Sequence, residues 1–322
     1  LQEFAPRLIC PLTRWEKPTW QEALMKPEVQ QLQATMRKLG YIAGPSIATA
    51  VYLAEKMVKP LLIEGGAGVG KTEIAKVLAQ QMGAELIRLQ CYQGLDVNTA
   101  LYEWNYQKQL LRLRIASAQH EQPEGLEELI FGREYLLERP LLSAITQPDN
   151  APVLLIDEID RADEGFEAFL LELLSDFQVT IPELGTISAV HRPFVVLTSN
   201  RTRELGDAIR RRCLYLYIEY PSLEKEIEIV RMKVPETDER LATQIAAFMH
   251  ELRKHRLIKT PGVSETLDWA RALAVLHRDR LDPQIVEETL GCVLKDRHDI
   301  DQLRDEALED VFTAAITTAT RV

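Results

Sequence analysis

The 322-residue chain carries 38 Lys and Arg against 49 Asp and Glu, for a formal net charge of −11, with 46% hydrophobic and 27% charged residues. That balance describes a globular protein with room for one large or two ordinary domains, and it argues against a protein whose main task is to coat nucleic acid. No apolar run approaches a membrane span, no signal-peptide core is visible, and Cys10, Cys91, Cys213 and Cys292 form no CxxC pair, so packing cysteines in a reducing cytoplasm are expected.

Residues 1 to about 27 hold Pro6, Pro11, Pro18 and Pro27 together with Trp15 and Trp20. This proline spacing excludes a long helix and predicts an extended arm, whose tryptophans dock either on this chain or on a neighbour. Helical periodicity follows over 28–39 and 45–58, broken at Gly40 and Gly44-Pro45. The apolar run Pro60-Leu61-Leu62-Ile63 predicts a strand, and Glu73-Ile74-Ala75-Lys76-Val77-Leu78-Ala79 continues a helix that starts near Lys71. Between them lies Gly65-Gly66-Ala67-Gly68-Val69-Gly70-Lys71-Thr72, with Glu73 beside it. Strand, glycine loop and helix in that order are the context in which G-x-x-x-x-G-K-[ST] reads as a phosphate-binding loop. Its glycines let successive N–H groups turn inward around a phosphate chain, and the helix adds the positive end of its dipole. Lys71 is placed to reach the β- and γ-phosphates of a nucleoside triphosphate and Thr72 to ligate Mg²⁺.

Further apolar runs at 85–90, 153–156, 194–198 and 214–218 predict buried parallel strands with helices between them. Two stretches show period-2 alternation. In the first, Tyr102, Trp104 and Tyr106 and then Leu111, Leu113 and Ile115 predict a β-hairpin turning near Gln107-Lys108. The second runs from Phe177 to Ile181, turns through Pro182-Glu183-Leu184-Gly185 and returns from Thr186 to Val190. After Pro221 the pattern is helical only, at 222–233, 239–255, 264–277, 283–294 and 299–313. The expected division is a proline-rich arm and first helix at 1–40, an α/β core at 41–220 and an all-α region at 221–322.

Val153-Leu154-Leu155-Ile156 ends in Asp157 and Glu158. One carboxylate on the metal and one accepting a proton from water is the division of labour that triphosphate hydrolysis needs, which assigns Asp157 to Mg²⁺ and Glu158 to the base. Asn200, after the run 194–199, is the candidate for contacting the γ-phosphate or orienting the water, with Thr198 or Ser199 as the alternatives. Arg210, Arg211 and Arg212 end a short helix before the last strand. They either complement the helix C-terminus or supply an arginine to a neighbour's γ-phosphate.

Gly65–Thr72, Asp157-Glu158, Asn200 and Arg210–Arg212 stand in the order Walker A, Walker B, sensor 1 and arginine finger, and in this the chain resembles the AAA+ ATPases. The two hairpin candidates resemble the helix-2 insert and pre-sensor-1 hairpin, and Asp157-Glu158-Ile159-Asp160-Arg161-Ala162 is similar to the MoxR branch. Within that branch Leu89–Val97, Leu101–Tyr106, Phe177–Thr186 and Leu197–Leu205 resemble the CoxD group, ATPases associated with maturation of carbon monoxide dehydrogenase. The resemblance covers about 40–277. It implies a five-stranded parallel sheet with helices on both faces and an all-α lid, with Arg212 as the first candidate for the arginine finger and Arg211 as the second. It also implies ATP/ADP and Mg²⁺ as ligands, a ring of subunits, usually six, a von Willebrand factor A domain adaptor and a metalloenzyme client to be remodelled. The chain departs from the MoxR lid, which carries a sensor-2 arginine in Ser-Pro-Arg. Here Gly262-Val263-Ser264-Glu265-Thr266-Leu267 has none. Arg271, five residues past Thr266, falls on a different face of that helix, so lid coupling either uses Arg271 or is weak. Two rival readings are a nucleic-acid motor, disfavoured because the turn at Glu183 has no Lys or Arg to grip phosphates, and an ATP switch that scaffolds assembly with little turnover.

Overall fold

Five parallel strands organise the computed structural model, which describes residues 26–119 and 130–321. The arm expected at the N-terminus, with Cys10, Trp15 and Trp20, lies outside the described residues. Helices α1 (Pro27–Lys38) and α2 (Pro45–Met57) each begin with proline at the first helical position, where no intrahelical N–H is needed. Strand β1 (Leu61–Gly65) leads through the glycine loop into α3 (Lys71–Met82), then β2 (Leu86–Gln90) and the single turn α4 (Val97–Ala100). All five residues of β1 are buried, as a central parallel strand requires.

The first predicted hairpin is not formed. Tyr102–Trp104 is a strand, β3, and Tyr106–Ala118 is a helix, α5. The side chain of Asn105 caps that helix by accepting the backbone N–H of Lys108, at the position where a turn was expected. Leu111 and Ile115 alternate in sequence, but both stand exposed, while Gln109 and Ala116, seven residues apart and so on one helical face, are buried. The partner of β3 is instead β4 (Leu136–Glu138), antiparallel, with Trp104 opposite Leu136. Trp104 packs edge to face on Tyr102 and Phe131, whereas Tyr106 leaves the aromatic stripe as the first residue of the helix.

Helix α6 (Pro140–Thr146) precedes β5 (Val153–Asp157), and α7 (Glu164–Asp176) follows it. The second hairpin forms where expected, with β6 (Gln178–Ile181) paired to β7 (Gly185–Ser188). Then come β8 (Phe194–Ser199), α8 (Asp207–Arg212) and β9 (Leu214–Ile218). The sheet order is β2-β5-β8-β1-β9. Alternate residues feed two apolar clusters. Leu62, Leu154, Ile156, Val195 and Leu197 face α6 and α7, and Leu61, Ile63, Leu155 and Val196 face α1, α2 and α3. Both faces are therefore covered, the expected consequence of unbroken apolar strands.

The remaining helices are α9 (Leu223–Lys233), α10 (Glu239–Leu252), α11 (Val263–Val275), α12 (Pro283–Val293), α13 (Arg297–Gln302) and α14 (Leu308–Arg321), with their own apolar cluster centred on Trp269 and Phe248. The helix expected over 299–313 is interrupted by a π-helical turn at 303–307. Eight residues of α-helix would rotate Val311 about 80° away from Leu303. The extra residue of the wide turn returns both to the buried cluster.

Glu226 of α9 and Arg253 form a forked ion pair, with Arg253 Nη1 and Nη2 at 2.6 and 2.7 Å from the two carboxylate oxygens and side chains only 0% and 8% exposed. Thr266 Oγ1 donates to the same carboxylate at 2.6 Å, and the guanidinium lies over the Tyr220 ring. Removing one member strands a buried charge. Arg253→Ala should lower unfolding free energy in urea by about 3–5 kcal/mol, and Arg253→Met combined with Glu226→Leu should recover most of that loss.

Candidate active site

Strand order decides which chain segments meet. Because β5, β8 and β1 are neighbours, their C-terminal ends bring Asp157, the Thr198–Asn200 segment and the glycine loop together, although they are far apart in sequence. They border a cleft of about 450 Å³ that the lid helices α9 and α11 close from the other side.

The Lys71 side chain is buried, and its ammonium donates to Gly65 O at 2.9 Å, Gly66 O at 2.7 Å and Asn200 Oδ1 at 2.7 Å. Among the described residues it forms no ion pair. Burial pushes this amine below the ordinary lysine range, opposed by the negative charges of Asp160, Asp157 and Glu158. A buried cation whose direct partners are neutral oxygens fits a site built to receive an anion. Gly70, at φ +93°, and Gly68, at φ +70°, hold backbone shapes that side chains resist, and both sit in the wall of the cleft. The residues present therefore fit a triphosphate.

Asp157 is fully enclosed by donors. Thr72 Oγ1 and Thr198 Oγ1 reach its Oδ1 at 3.1 and 2.5 Å, and Arg88 Nη2 reaches Oδ2 at 2.5 Å. No group of three or more acidic, His or Cys side chains suited to a metal occurs among the described residues. One carboxylate and one threonine hydroxyl are nevertheless what a magnesium ion that keeps waters and phosphate oxygens asks of a protein. Glu158 projects next to Asn200, with Oε1 3.3 Å from Asn200 Nδ2, and its backbone N–H donates to Thr198 Oγ1. Glu158 and Arg201 are both non-glycine residues at positive φ, 54° and 60°. Strain of this kind persists only where surrounding bonds over-determine it. Here the anchor is buried Asp160, which accepts from Asn200 N–H and from the Thr202 N–H and hydroxyl. Although burial opposes it, those hydrogen bonds hold its carboxyl below the usual range.

Sequence reasoning brought Lys71, Thr72, Asp157, Glu158 and Asn200 forward, and the structure brings all five to one cleft. Thr198 stood only as an alternative to Asn200, yet it links Asp157 to Glu158. Arg88, Asp160 and Thr202 were missed. So was a stripe on α9, where Lys225, Ile229 and Lys233 at four-residue spacing face the cleft. Lys233 meets Glu73 at 3.3 Å; burial would push the Glu73 carboxyl up, but Lys76 and Lys233 together hold it below its ordinary range. Arg271 also lines the cleft, on the same side as Ser264 and Leu267. The face it avoids is that of Thr266, which is buried against Glu226, so its separation from Thr266 does not remove it from the cleft. Of the arginines before β9, Arg212 is tied to Ser175 Oγ at 2.5 Å and Ala208 O at 3.0 Å, while the Arg211 side chain is 82% exposed, 3.7 Å from Asp207. Burial, with the neighbouring carboxylates, pushes the Cys91 thiol up to about 12, and burial does the same for Cys213, so both act as packing residues.

The family model of the ATPase family associated with various cellular activities (AAA) matches residues 61–220. Among curated proteins, the gas vesicle ATPase GvpN of Haloferax mediterranei is 25% identical over 261 residues, covering 77% of this chain and 72% of that protein. An uncharacterized protein of Staphylococcus epidermidis is 24% identical over 265 residues, covering 80% and 89%. Among solved structures, the RuvB Holliday junction branch migration motor of Thermotoga maritima is similar at 18% identity and a TM-score of 0.44, over 85% of this chain and 76% of that one.

The lid touches the phosphate loop through backbone. Val263 N–H donates to Gly68 O at 2.9 Å, and a Cβ on Gly262 would stand 2.6 Å from Ala67 O and 2.7 Å from Gly68 Cα. Neither of those atoms can move aside cheaply. Gly262→Ala should therefore weaken binding of a fluorescent ATP analogue by roughly tenfold or more, the equivalent of at least one lost contact of about 1.4 kcal/mol, with little change in far-UV circular dichroism.

Proposed function

We propose that the chain, whose residues 61–220 match the family model of the AAA ATPases, hydrolyses ATP to ADP and phosphate with Mg²⁺ and uses the cycle to remodel a client protein. The observation that carries the reading is the buried Lys71 ammonium, which forms no ion pair among the described residues and bonds Asn200 in the cleft that Asp157 and Glu158 also line. Gly65 to Lys71 would cradle the phosphates, and Glu73 lies at the start of α3 beside them. Thr72 and Asp157 would hold Mg²⁺, which supplies charge neutralisation to the phosphate oxygens. Glu158 accepts the proton of the attacking water, and Asn200 holds that water or the terminal phosphate in line.

In this reading the chain works as a ring, taken as hexameric, in the cytoplasm. Each active site is completed by an arginine from the next subunit, drawn from Arg212 and Arg211. Arg211 is exposed and held by one loose contact, which supports its availability, whereas Arg212 would have to release Ser175. The partners are a von Willebrand factor A domain adaptor and a metalloenzyme client, a reading supported by the CoxD-like segments 89–97 and 197–205. The β6–β7 turn carries Glu183 and no basic residue between 178 and 188, which supports a protein client over nucleic acid.

Lys71→Ala should abolish binding of a fluorescent ATP analogue. Glu158→Gln should bind it normally while hydrolysis drops by roughly 10²–10⁴-fold, since an amide takes no proton. Wild-type turnover by Glu158→Gln would refute the base assignment. Specific activity should rise with protein concentration as subunits associate, and a monomer with concentration-independent turnover would remove the trans arginine.

A further inference from the structure

Asp157 has the carboxylate proposed for the metal, and one of its two oxygens is already occupied by a cation. Arg88 stands on β2, the strand that pairs with β5, and its Nη2 lies 2.5 Å from Asp157 Oδ2. The two partners differ in environment. The Asp157 side chain is 4% exposed, and that of Arg88 is 50% exposed. The same Nη2 also donates to Gln90 Oε1 at 2.6 Å, so a second, exposed acceptor is already engaged. Oδ1, meanwhile, is taken by the Thr72 and Thr198 hydroxyls, neutral donors that can rotate away.

We infer that Arg88 is the counter-ion of Asp157 whenever no metal is bound and is displaced towards Gln90 when a divalent cation arrives. The argument is one of charge and space, and it rests on the nucleotide reading above. A buried carboxylate without a cation is costly, and Arg88 meets that cost for Asp157 when no metal does. A magnesium ion, bound directly or through its waters, needs the same oxygen lone pairs, and a guanidinium a few ångströms from a divalent ion is strongly repelled. Arg88 can leave because half its side chain is in solvent and Gln90 offers a neutral acceptor. Asp157 cannot. Arg88 thus acts through Asp157 as a positioning residue. It stabilises the metal-free protein and raises the magnesium concentration needed to load the site.

The test uses the full chain with Arg88→Gln and Arg88→Lys, and Arg161→Gln as a control, because Arg161 lies 3.6 Å from Glu158 and makes no contact with Asp157. Magnesium chloride is titrated against binding of a fluorescent ATP analogue, and melting temperature is recorded in EDTA and in saturating Mg²⁺ with ATP analogue. Arg88→Gln should reach half-saturation at a magnesium concentration at least fivefold lower than wild type, with Arg88→Lys between them and Arg161→Gln within twofold. Its melting temperature should fall in EDTA and match wild type in the loaded state. A higher magnesium requirement, an unchanged one, or an equal melting deficit in both conditions would overturn displacement while leaving the nucleotide reading intact. An equal shift in Arg161→Gln would reduce the effect to general charge and overturn it as well. If the wild type itself bound no nucleotide, the proposed function would fall and this inference with it.

Discussion

Lys71 places a positive charge inside the protein with three neutral oxygens for direct company, Gly65 O, Gly66 O and Asn200 Oδ1. Much of the core can be read as the means of holding it there. The glycines allow the loop to wrap its carbonyls around the amine, β1 is buried along its whole length to fix where the loop begins, and α3 starts at the lysine itself. Asn200 ties the amine to the next strand, so the free cationic centre is shared between two strand ends rather than left to one flexible side chain. Such an arrangement favours anions over water because the solvation cost of the ammonium has already been met by folding.

A second layer of buried carboxylates fixes the groups around that charge. Asp160 accepts three hydrogen bonds from the Asn200–Thr202 segment. Glu167, on α7, accepts from Arg203 and from the Gly206 N–H. The chain from Asn200 to α8 therefore runs along two pegs, both supplied by the segment that follows Asp157. The positions of Asn200 and of the arginines at 210–212 are set by the same short stretch of backbone.

How much of this was legible in the sequence depended on the range of the interaction. The glycine loop is a local motif, and strand, loop and helix around Lys71 could be read directly. So could the β6–β7 hairpin, whose turn chemistry lies within four residues, and the helical region after Pro221. The failure at Gln107-Lys108 came from taking alternation as the deciding signal. Asn105 as an N-cap, with Gln109 and Ala116 on one helical face, was the better signal and equally local. Arg88, Thr198 and Asp160 were not legible because their roles depend on which strands are neighbours. Nothing in the order of the chain says that β2 lies beside β5 or that β8 separates β5 from β1. The lysines of α9 were hidden for another reason. Lys225 and Lys233 lie on a polar stripe that a helix normally turns to solvent, and only the lid's placement over the cleft turns it inward.

The contact between Gly262 and Gly68 carries a consequence for how the two parts of the protein move. Most domain junctions are padded by side chains, which absorb small displacements by changing rotamer. Here main chain rests on main chain at Gly262, with a peptide hydrogen bond from Val263 to Gly68, while the Ser264 and Glu265 side chains close on Gly68 beside it. Such a joint has almost no slack. A shift of a few tenths of an ångström in the loop is passed to the first turn of α11 undiminished, and sequence drift elsewhere in the lid cannot soften it, since the coupling resides in atoms common to every residue.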